Sequence, residues 1–375
     1  MKKLRIGVAG LGRAFAAMAR TLGDPRVELV AAADPRREAL EKFGSDYGAR
    51  GYATVEELCA DPAVEVVYVA TPHELHASHT RTACLKKKHV LVEKPMALTL
   101  DDCRTMISTA RKSGVQLVVG HSHSFDAPFL HTRKLIQGKT YGAVRMITAL
   151  DFTDFVYRPR RPEELATGAV LNQAAHHVDI VRLLAGGNVR SVRAYTGNWD
   201  KARPTEGAYS CVLDFDNGVF ASLAYSGYAH FDSDEFMGWI GELGQRRDPG
   251  AYGLTRKALQ SSADEIAFKT SRNYGGQQFK ENEPVAHQHF GVVVASCEKA
   301  DLRPLPNGVM IHGDSEQRLD PLPAPSVPRV EVIDELYAAV VEGRPPLHSG
   351  EWAIATLEVC LAMLRSARQR KEVSL

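Results

Sequence analysis

Five short apolar runs, Leu4–Ala9, Val27–Ala33, 64–69, His89–Val92 and 116–120, punctuate the first part of the chain, with longer helical periods between them. Valine, leucine and alanine do not alternate with polar residues in these runs, so both faces of each strand must be covered. That pattern confines the segment to a parallel sheet between helices, the doubly wound α/β fold. Helices are expected over 36–47, 74–86 and Leu100–Ser113, the last capped by Thr99 with Asp101 and Asp102 in its first turn. The first run leads straight into Gly10-Leu11-Gly12 and a helix-compatible stretch over 13–22.

Beyond about residue 122 the pattern changes. Residues 143–151, 189–198, Ala208–Phe215 and 219–228 alternate apolar with polar positions, and Asp216-Asn217-Gly218 supplies a hairpin turn. A large, open, mostly antiparallel sheet follows, with one face packed and the other free as a substrate wall or an oligomer interface. Two domains are therefore expected: 1–122, a dinucleotide-binding Rossmann domain, and 123–375, a substrate-binding and oligomerisation α/β domain. Within the second, 243–283 is polar and weakly periodic, either an insertion or lid or a disordered stretch. The six prolines of 301–328 read as turns between short strands, and Ile354, Leu357, Leu361 and Leu364 mark one face of a closing helix.

A formal charge of +1 over 375 residues offers no excess of cations to release counterions, which argues against nucleic acid or a membrane surface as partner. No apolar run approaches the ~18 residues of a membrane span. The six cysteines form no C-x-x-C pair, so a reduced, cytoplasmic protein is expected. Arg5 and Arg13 interrupt the apolar start, which argues against a signal peptide.

Gly10 can make the tight turn after the first strand and Gly12 can let the backbone approach a pyrophosphate, with Arg13 and Ala14 opening the helix. Phe15 occupies the third glycine position, so the fingerprint is incomplete. Asp34, at the end of the next strand, stands where a carboxylate would take the adenosine ribose; it favours NAD, while Arg36 and Arg37 leave NADP possible. Thr71 and Pro72 close another strand at the ligand-binding edge, and His76 is either a cofactor contact or a helix-start residue bonding locally.

Glu93-Lys94-Pro95 ends the fourth run. Pro95 holds Lys94 out of helical torsions, and partial burial near a cationic nicotinamide would favour the neutral amine that proton transfer requires. The alternative is an ion pair with Glu93. Asn172, His176 and Asp179 fall at i, i+4 and i+7 on one helical stripe, so His176 is either aimed at substrate or a satisfied core histidine; His177 reads as packing. His121 and His123, with the pair His176 and His177, invite a metal reading, but nothing in the sequence shows that the two pairs converge, so substrate contact is preferred and no metal is expected. Arg158 and Arg160 lie in a proline-stiffened basic loop that suits an anionic substrate or is simply exposed.

These residues in this order resemble the glucose-fructose oxidoreductase, inositol dehydrogenase and rhizopine-catabolism (Gfo/Idh/MocA) family, on Gly10-Leu11-Gly12, Asp34, Ala70-Thr71-Pro72, 90–95, His176 to Asp179 and Glu342-Gly343-Arg344-Pro345-Pro346. The resemblance implies an NAD(P)-dependent oxidoreductase with Lys94 and His176 catalytic, Glu93 and Pro95 shaping the nicotinamide pocket, and dimers or tetramers built through the open sheet. Two departures stand out. Sugar and inositol dehydrogenases of the family often carry aspartate where this chain has Asn172, and an arginine usually precedes the phenylalanine where Ser124 precedes Phe125. The start 7–15 and the long insertion look more like the 4,5-cis-dihydrodiol phthalate dehydrogenase branch, which implies oxidation of a cyclic diol dicarboxylate in phthalate degradation. A sugar or cyclitol dehydrogenase, an NAD-using glycoside hydrolase and a non-catalytic ligand sensor are the alternatives.

Overall fold

The computed structural model describes residues 2–228, 230–251 and 253–375. Its contacts divide the chain into two compact units: Met1–His121 with Ile266–Glu281 and Arg329–Leu357, and Ser122–Glu265 with Asn282–Pro328 and Glu358–Leu375. Sequence order alone puts 266–281 and 329–357 in the second domain; in space they pack with the first strands, a return that local pattern cannot reveal.

In the first unit β1 (Leu4–Ala9), β2 (Val27–Ala33), β3 (Arg50–Tyr52), β4 (Val66–Val69), β5 (His89–Val92) and β6 (Leu117–Val119) form a parallel sheet in the order β3-β2-β1-β4-β5-β6. The order reverses between β1 and β4, the point at which doubly wound sheets open a crevice for ligands. Continuous apolar runs make this sheet because each strand is covered twice: Val66, Val67, Tyr68 and Val69 are all fully buried. Burying one such side chain is worth about 1.5–3 kcal/mol. The helices are α1 (Arg13–Met18), α2 (Arg37–Tyr47), α3 (Val55–Ala60), α4 (His76–Leu85) and α5 (Leu100–Ser113). Helix α1 is shorter than the pattern over 13–22 suggests, since the chain tightens into a 3-10 turn at Thr21–Gly23.

The second unit carries β7 (Val144–Phe152), β8 (Val189–Gly197), β9 (Ala208–Phe215), β10 (Phe220–Ser226), β11 (Val292–Cys297), β12 (Ala300–Leu305), β13 (Gly308–Gly313), β14 (Gln317–Pro321) and β15 (Val373–Ser374). They form one sheet in the order β14-β13-β12-β11-β7-β10-β9-β8-β15, antiparallel except that β10 runs parallel to β7. The proline-bearing stretch, read as turns between short strands, contributes to three paired strands, β12 to β14. Helices α6 (Ala127–Gln137) and α8 (Ala175–Ala185) pack together, α8 on β7 and α6 on β12 and β13, while α7 (Pro162–Leu165) is a single turn in the loop between. Every residue of α8 is buried. On the opposite face of the sheet Ala224, Leu150 and Val292 line up in register, all half-buried, beside exposed Val212 and Phe220. Two short helices, Leu254–Gln260 and Glu265–Ser271, fall within the 243–283 stretch.

Candidate active site

In the first unit the turn after β1 is built for close approach. Gly10 has φ +94°, and a Cβ there would lie 2.8 Å from the Ala70 carbonyl oxygen and 3.1 Å from Thr71 Cα, so only glycine lets β1 and β4 end side by side. A Cβ on Gly12 would meet nothing within 4 Å, which leaves that backbone open for a pyrophosphate; Arg13 is exposed and Ala14 half-buried at the helix start. Asp34 Oδ2 accepts from Leu11 N at 2.7 Å, which fixes the carboxylate against the glycine turn. These residues fit an NAD: the turn would carry the phosphates and Asp34 the ribose hydroxyls.

Arg36 folds back on Asp34, Nε to Oδ1 at 3.0 Å, and also donates to the Leu11 carbonyl at 2.8 Å and the Tyr274 carbonyl at 3.1 Å. Arg37 reaches Glu41 on the exposed face of α2. Neither guanidinium is therefore poised for a 2′-phosphate, which agrees with NAD. Asp34→Ala is expected to weaken NAD about 10–100-fold, the worth of hydrogen bonds to a charged group, and to shift preference toward NADP as Arg36 is released. Fluorescence titration with both cofactors measures this; unchanged NAD affinity would refute the assignment.

Phe15, at the third glycine position, points its ring away into the core against Phe43 (5.6 Å), Tyr47 (6.4 Å) and Tyr274 (4.9 Å), so its side chain packs the unit and only its backbone could serve a cofactor. His76 is fully buried, with Nδ1 2.9 Å from the Pro95 carbonyl and Nε2 2.9 Å from the Thr71 carbonyl. Burial pushes its pKa down to about 4 despite those carbonyls, so the ring is neutral and its single N–H donates to one of the two. Thr71 Oγ1 lies 3.1 Å from His79 Nδ1, and Thr71 and Pro72 are half-buried at the end of β4. Glu93 accepts from the Tyr68 hydroxyl at 2.6 Å, and burial raises its pKa, with the Tyr68 bond opposing. Lys94 follows, half-buried, at the carboxyl end of β5, joined to Pro95 by a cis peptide. His121 is buried at the end of the unit.

In the second unit His176 is the second residue of α8, behind a π-helical turn at Val170–Ala174. That turn spoils the simple i, i+4 stripe expected for Asn172 and His176, because a π turn holds more residues than an α turn. Asn172 Nδ2 donates to Thr167 Oγ1 at 2.9 Å and to the Thr167 carbonyl at 3.3 Å. Asp179 accepts from Ser124 Oγ at 3.5 Å and lies 3.9 Å from Arg182. His177 is a packing residue as read: Nδ1 sits 2.8 Å from the Tyr209 hydroxyl, and burial pushes its pKa down to about 3.

His123 stands beside His176, ring centroids 4.7 Å apart, and its backbone N–H donates to His176 Nδ1 at 3.4 Å. Its own Nδ1 faces Asp126 Oδ2 at 2.6 Å and its Nε2 faces Glu242 Oε1 at 3.4 Å. Burial opposes a charge on His123, but the Asp126 and then Glu242 carboxylates outweigh it and raise its pKa. Arg158 bonds Glu242 Oε2 at 3.0 Å and Asp154 Oδ1 at 2.8 Å. Burial opposes the Glu242 carboxylate, yet Arg158 and His123 hold its pKa well down. The basic loop is thus neither bare nor exposed: Arg158 is neutralised from within, and Arg160 stacks 3.6 Å above the Phe155 ring while donating to its carbonyl. His123, Arg158, Asn172, His176 and Asp179 do fall in one unit, two of them joined through Glu242.

Glu242, Asp126 and Asp154 escaped sequence reasoning. Asp126 follows His123 by three residues, a usable signal; Glu242 is 119 residues away in an aperiodic stretch and gave none. Asp151 was also missed. It is buried at the end of β7 in register with Tyr225, accepts from Ser233 Oγ at 2.8 Å, and burial followed by the Glu242 charge raises its pKa to about 7. A carboxyl whose folded pKa exceeds its unfolded value costs stability as pH rises from about 4 to about 7 and beyond. Asp151→Asn, which can still accept from Ser233, is expected to recover roughly 1–3 kcal/mol at pH 8 and little at pH 4. Thermal melts across pH check this; a gain that does not grow with pH would refute it.

A glycine turn closed against a buried carboxylate at the switch point of a doubly wound sheet defines a dinucleotide-binding protein. Residues 4–121 match the oxidoreductase family, NAD-binding Rossmann fold, of Gfo/Idh/MocA, and 129–245 match the GFO/IDH/MocA C-terminal domain. The chain is 47% identical, over 97% of its length and 95% of the relative's, to 1-carboxy-3-chloro-3,4-dihydroxycyclohexa-1,5-diene dehydrogenase of Comamonas testosteroni. It is 32% identical to the myo-inositol 2-dehydrogenase of Thermotoga maritima, over 64% of this chain and 74% of that one. A solved structure from Bordetella bronchiseptica RB50 superposes with a TM-score of 0.94 at 38% identity, both chains covered in full. The chain belongs to the Gfo/Idh/MocA oxidoreductase family, as its motifs imply, and is an NAD-binding dehydrogenase.

Proposed function

We propose that this enzyme oxidises a carboxylated cyclic cis-diol at the expense of NAD, with phthalate 4,5-cis-dihydrodiol, giving 4,5-dihydroxyphthalate, as the particular substrate to test. The observation that carries the reading is the end-to-end likeness to a dehydrogenase of a carboxylated dihydroxycyclohexadiene. Asn172 supports it, since a carboxylate base is absent from the position where cyclitol dehydrogenases of the family often place one. Oxidation of a dihydrodiol is driven by aromatisation, because the ketone first formed enolises to a catechol, so a weaker proton acceptor suffices.

Bound NAD would supply the hydride acceptor. Lys94 and His176 act on the reacting hydroxyl, Glu93 and Pro95 set the lysine's position, and Gly10, Gly12 and Asp34 hold the cofactor. His121 and Asp179 support substrate binding. The half-buried apolar row on the open sheet face is a dimer or tetramer interface, and the free cysteines suit a reducing cytoplasm. No helix among the described residues is long and apolar enough to cross a membrane.

The test is a panel of phthalate and benzoate cis-dihydrodiols, an uncharged benzene cis-dihydrodiol, inositols and aldoses, read as nicotinamide reduction. Stoichiometric reduction with the carboxylated dihydrodiols is expected. Turnover confined to inositols or sugars would replace this reading by a cyclitol or sugar dehydrogenase, and glycoside cleavage without net reduction would replace it by a hydrolase.

A further inference from the structure

Three arginines of the second unit bear on one another, Arg158 and Arg160 on the loop after β7 and Arg203 on the segment before β9. Two of them are matched by carboxylates. Arg158 holds Asp154 and Glu242, and Arg203 Nη1 lies 3.0 and 3.1 Å from the two oxygens of Glu265. Arg160 is the exception. Its guanidinium donates to the Phe155 carbonyl at 2.8 Å, faces the Thr167 carbonyl at 3.5 Å and stacks on the Phe155 ring, and no carboxylate among the described residues pairs with it. Glu164, which bears on it, is engaged by Arg161. Burial, joined by the charges of Arg203 and Arg158, presses the Arg160 pKa down to about 10 against Tyr225 and Glu164. A half-buried cation without a counter-ion is costly, so this corner of the unit is short of one negative charge.

The Tyr225 hydroxyl points the same way. It is buried without a hydrogen-bond partner, and it bears on Arg158 and Arg160. Packing holds the ring in place: it stacks on Tyr209 at 5.2 Å and on Phe290 at 6.3 Å, with Phe155 edge-on at 6.4 Å. An orphaned hydroxyl donor and an unmatched guanidinium together call for an acceptor that carries charge. Asn172 keeps that charge uncancelled. Its Nδ2 donates to the same Thr167 carbonyl that Arg160 faces, so an aspartate there would set a carboxylate beside the guanidinium, whereas the amide leaves it for a ligand.

We propose that Arg160 and Tyr225 form a carboxylate subsite, kept cationic by Asn172, that recognises a ring carboxyl group of the substrate. This rests on the reading of the substrate as a carboxylated cyclic diol and names what selects its carboxyl group; Arg158, already matched, takes no part. The subsite lies wholly within the second unit. Phe290 joins it to His176, whose ring is 4.8 Å from that phenyl group. One guanidinium and one neutral hydroxyl match a single negative charge, and a phosphate monoester brings nearly two.

The test is calorimetric titration of the full-length protein with phthalate, catechol and inorganic phosphate, in the absence of turnover. Wild type is expected to bind phthalate more tightly than either of the others. Arg160→Met is expected to lower phthalate affinity about 10–100-fold and to abolish the preference over catechol. Asn172→Asp, nearly isosteric and with the arginine still present, is expected to do the same by supplying an internal counter-ion. Tyr225→Phe is expected to weaken phthalate by about 3–10-fold without lowering the melting temperature, because the hydroxyl it removes has no bond to lose. Phthalate affinity unchanged in Arg160→Met and Asn172→Asp, or a wild type that prefers phosphate or catechol, overturns the proposal. A Tyr225→Phe protein that melts below wild type would show the hydroxyl already bonded and overturn its part. If phthalate binding needs Arg160 while turnover is confined to inositols or sugars, the subsite stands and the substrate reading falls. If carboxylated dihydrodiols are oxidised and the variants bind phthalate as wild type does, the substrate reading stands and the subsite falls.

Discussion

Lys94→Met is expected to lower kcat about 10²–10⁴-fold while NAD affinity stays within a few-fold of wild type. The substitution keeps an unbranched chain of similar volume, so packing at the end of β5 survives and only the amine is lost. What surrounds the lysine makes its position stiff: Glu93 before it is bonded to Tyr68 from the neighbouring strand, and Pro95 after it is held by its carbonyl on buried His76. Neither of these two bonds is made by the ammonium, so Met is expected to leave the loop folded. Lys94→Arg is expected to be as inactive as Met, because a guanidinium stays protonated and accepts nothing. Steady-state nicotinamide absorbance gives kcat, and fluorescence titration gives NAD affinity. Full turnover by Lys94→Met would remove Lys94 from the chemistry.

The place of Lys94 at the carboxyl end of a buried strand was legible in the sequence because everything that marks it is local: an apolar strand, then a carboxylate, then a proline. The same holds for Leu100–Ser113, whose Thr99 cap accepts from Asp102 N as expected, and for β2, β5 and β9, which match their apolar or alternating runs residue for residue. Gly10 and Asp34 were legible for a related reason, since the turn and the following strand are short and sequential. Where pairing is long-range the sequence was mute. Arg158 looked like a spare cation because Glu242 and Asp154 approach it only in the fold, and Arg36 looked available to a phosphate because the Tyr274 carbonyl that helps hold it comes from 238 residues away. Strand β11 was missed, and β12 to β14 were read only as short strands between turns, with their bounds and pairing not visible. The π turn before α8 defeated the helical stripe for a different reason: a period assumed constant had one wider turn in it.

Phe15 is where an incomplete motif carries the largest stability consequence. Phe15→Gly would restore the full Gly-x-Gly-x-x-Gly spacing, and sequence logic alone would expect tighter nucleotide binding. The structure implies the reverse. The ring is fully buried at the meeting of α1, α2 and the 266–281 segment, against Phe43, Tyr47 and Tyr274. Deleting a buried phenylalanine costs about 3–5 kcal/mol, and glycine inside a helix adds up to about 1 kcal/mol. Tyr274 then loses an edge-to-face partner while keeping its hydroxyl on Asp46 and its carbonyl on Arg36. Loosening it frees Arg36, and through Arg36 the Asp34 carboxylate that should meet the ribose. The expected result is a melting temperature lower by about 10 °C or more, faster proteolysis within 266–281, and NAD binding that weakens instead of improving. Calorimetry, limited proteolysis and cofactor titration read the three effects. A Phe15→Gly protein that melts like wild type or binds NAD more tightly would show that the ring is dispensable and that the missing glycine is a defect in the site, not a core residue exchanged for it.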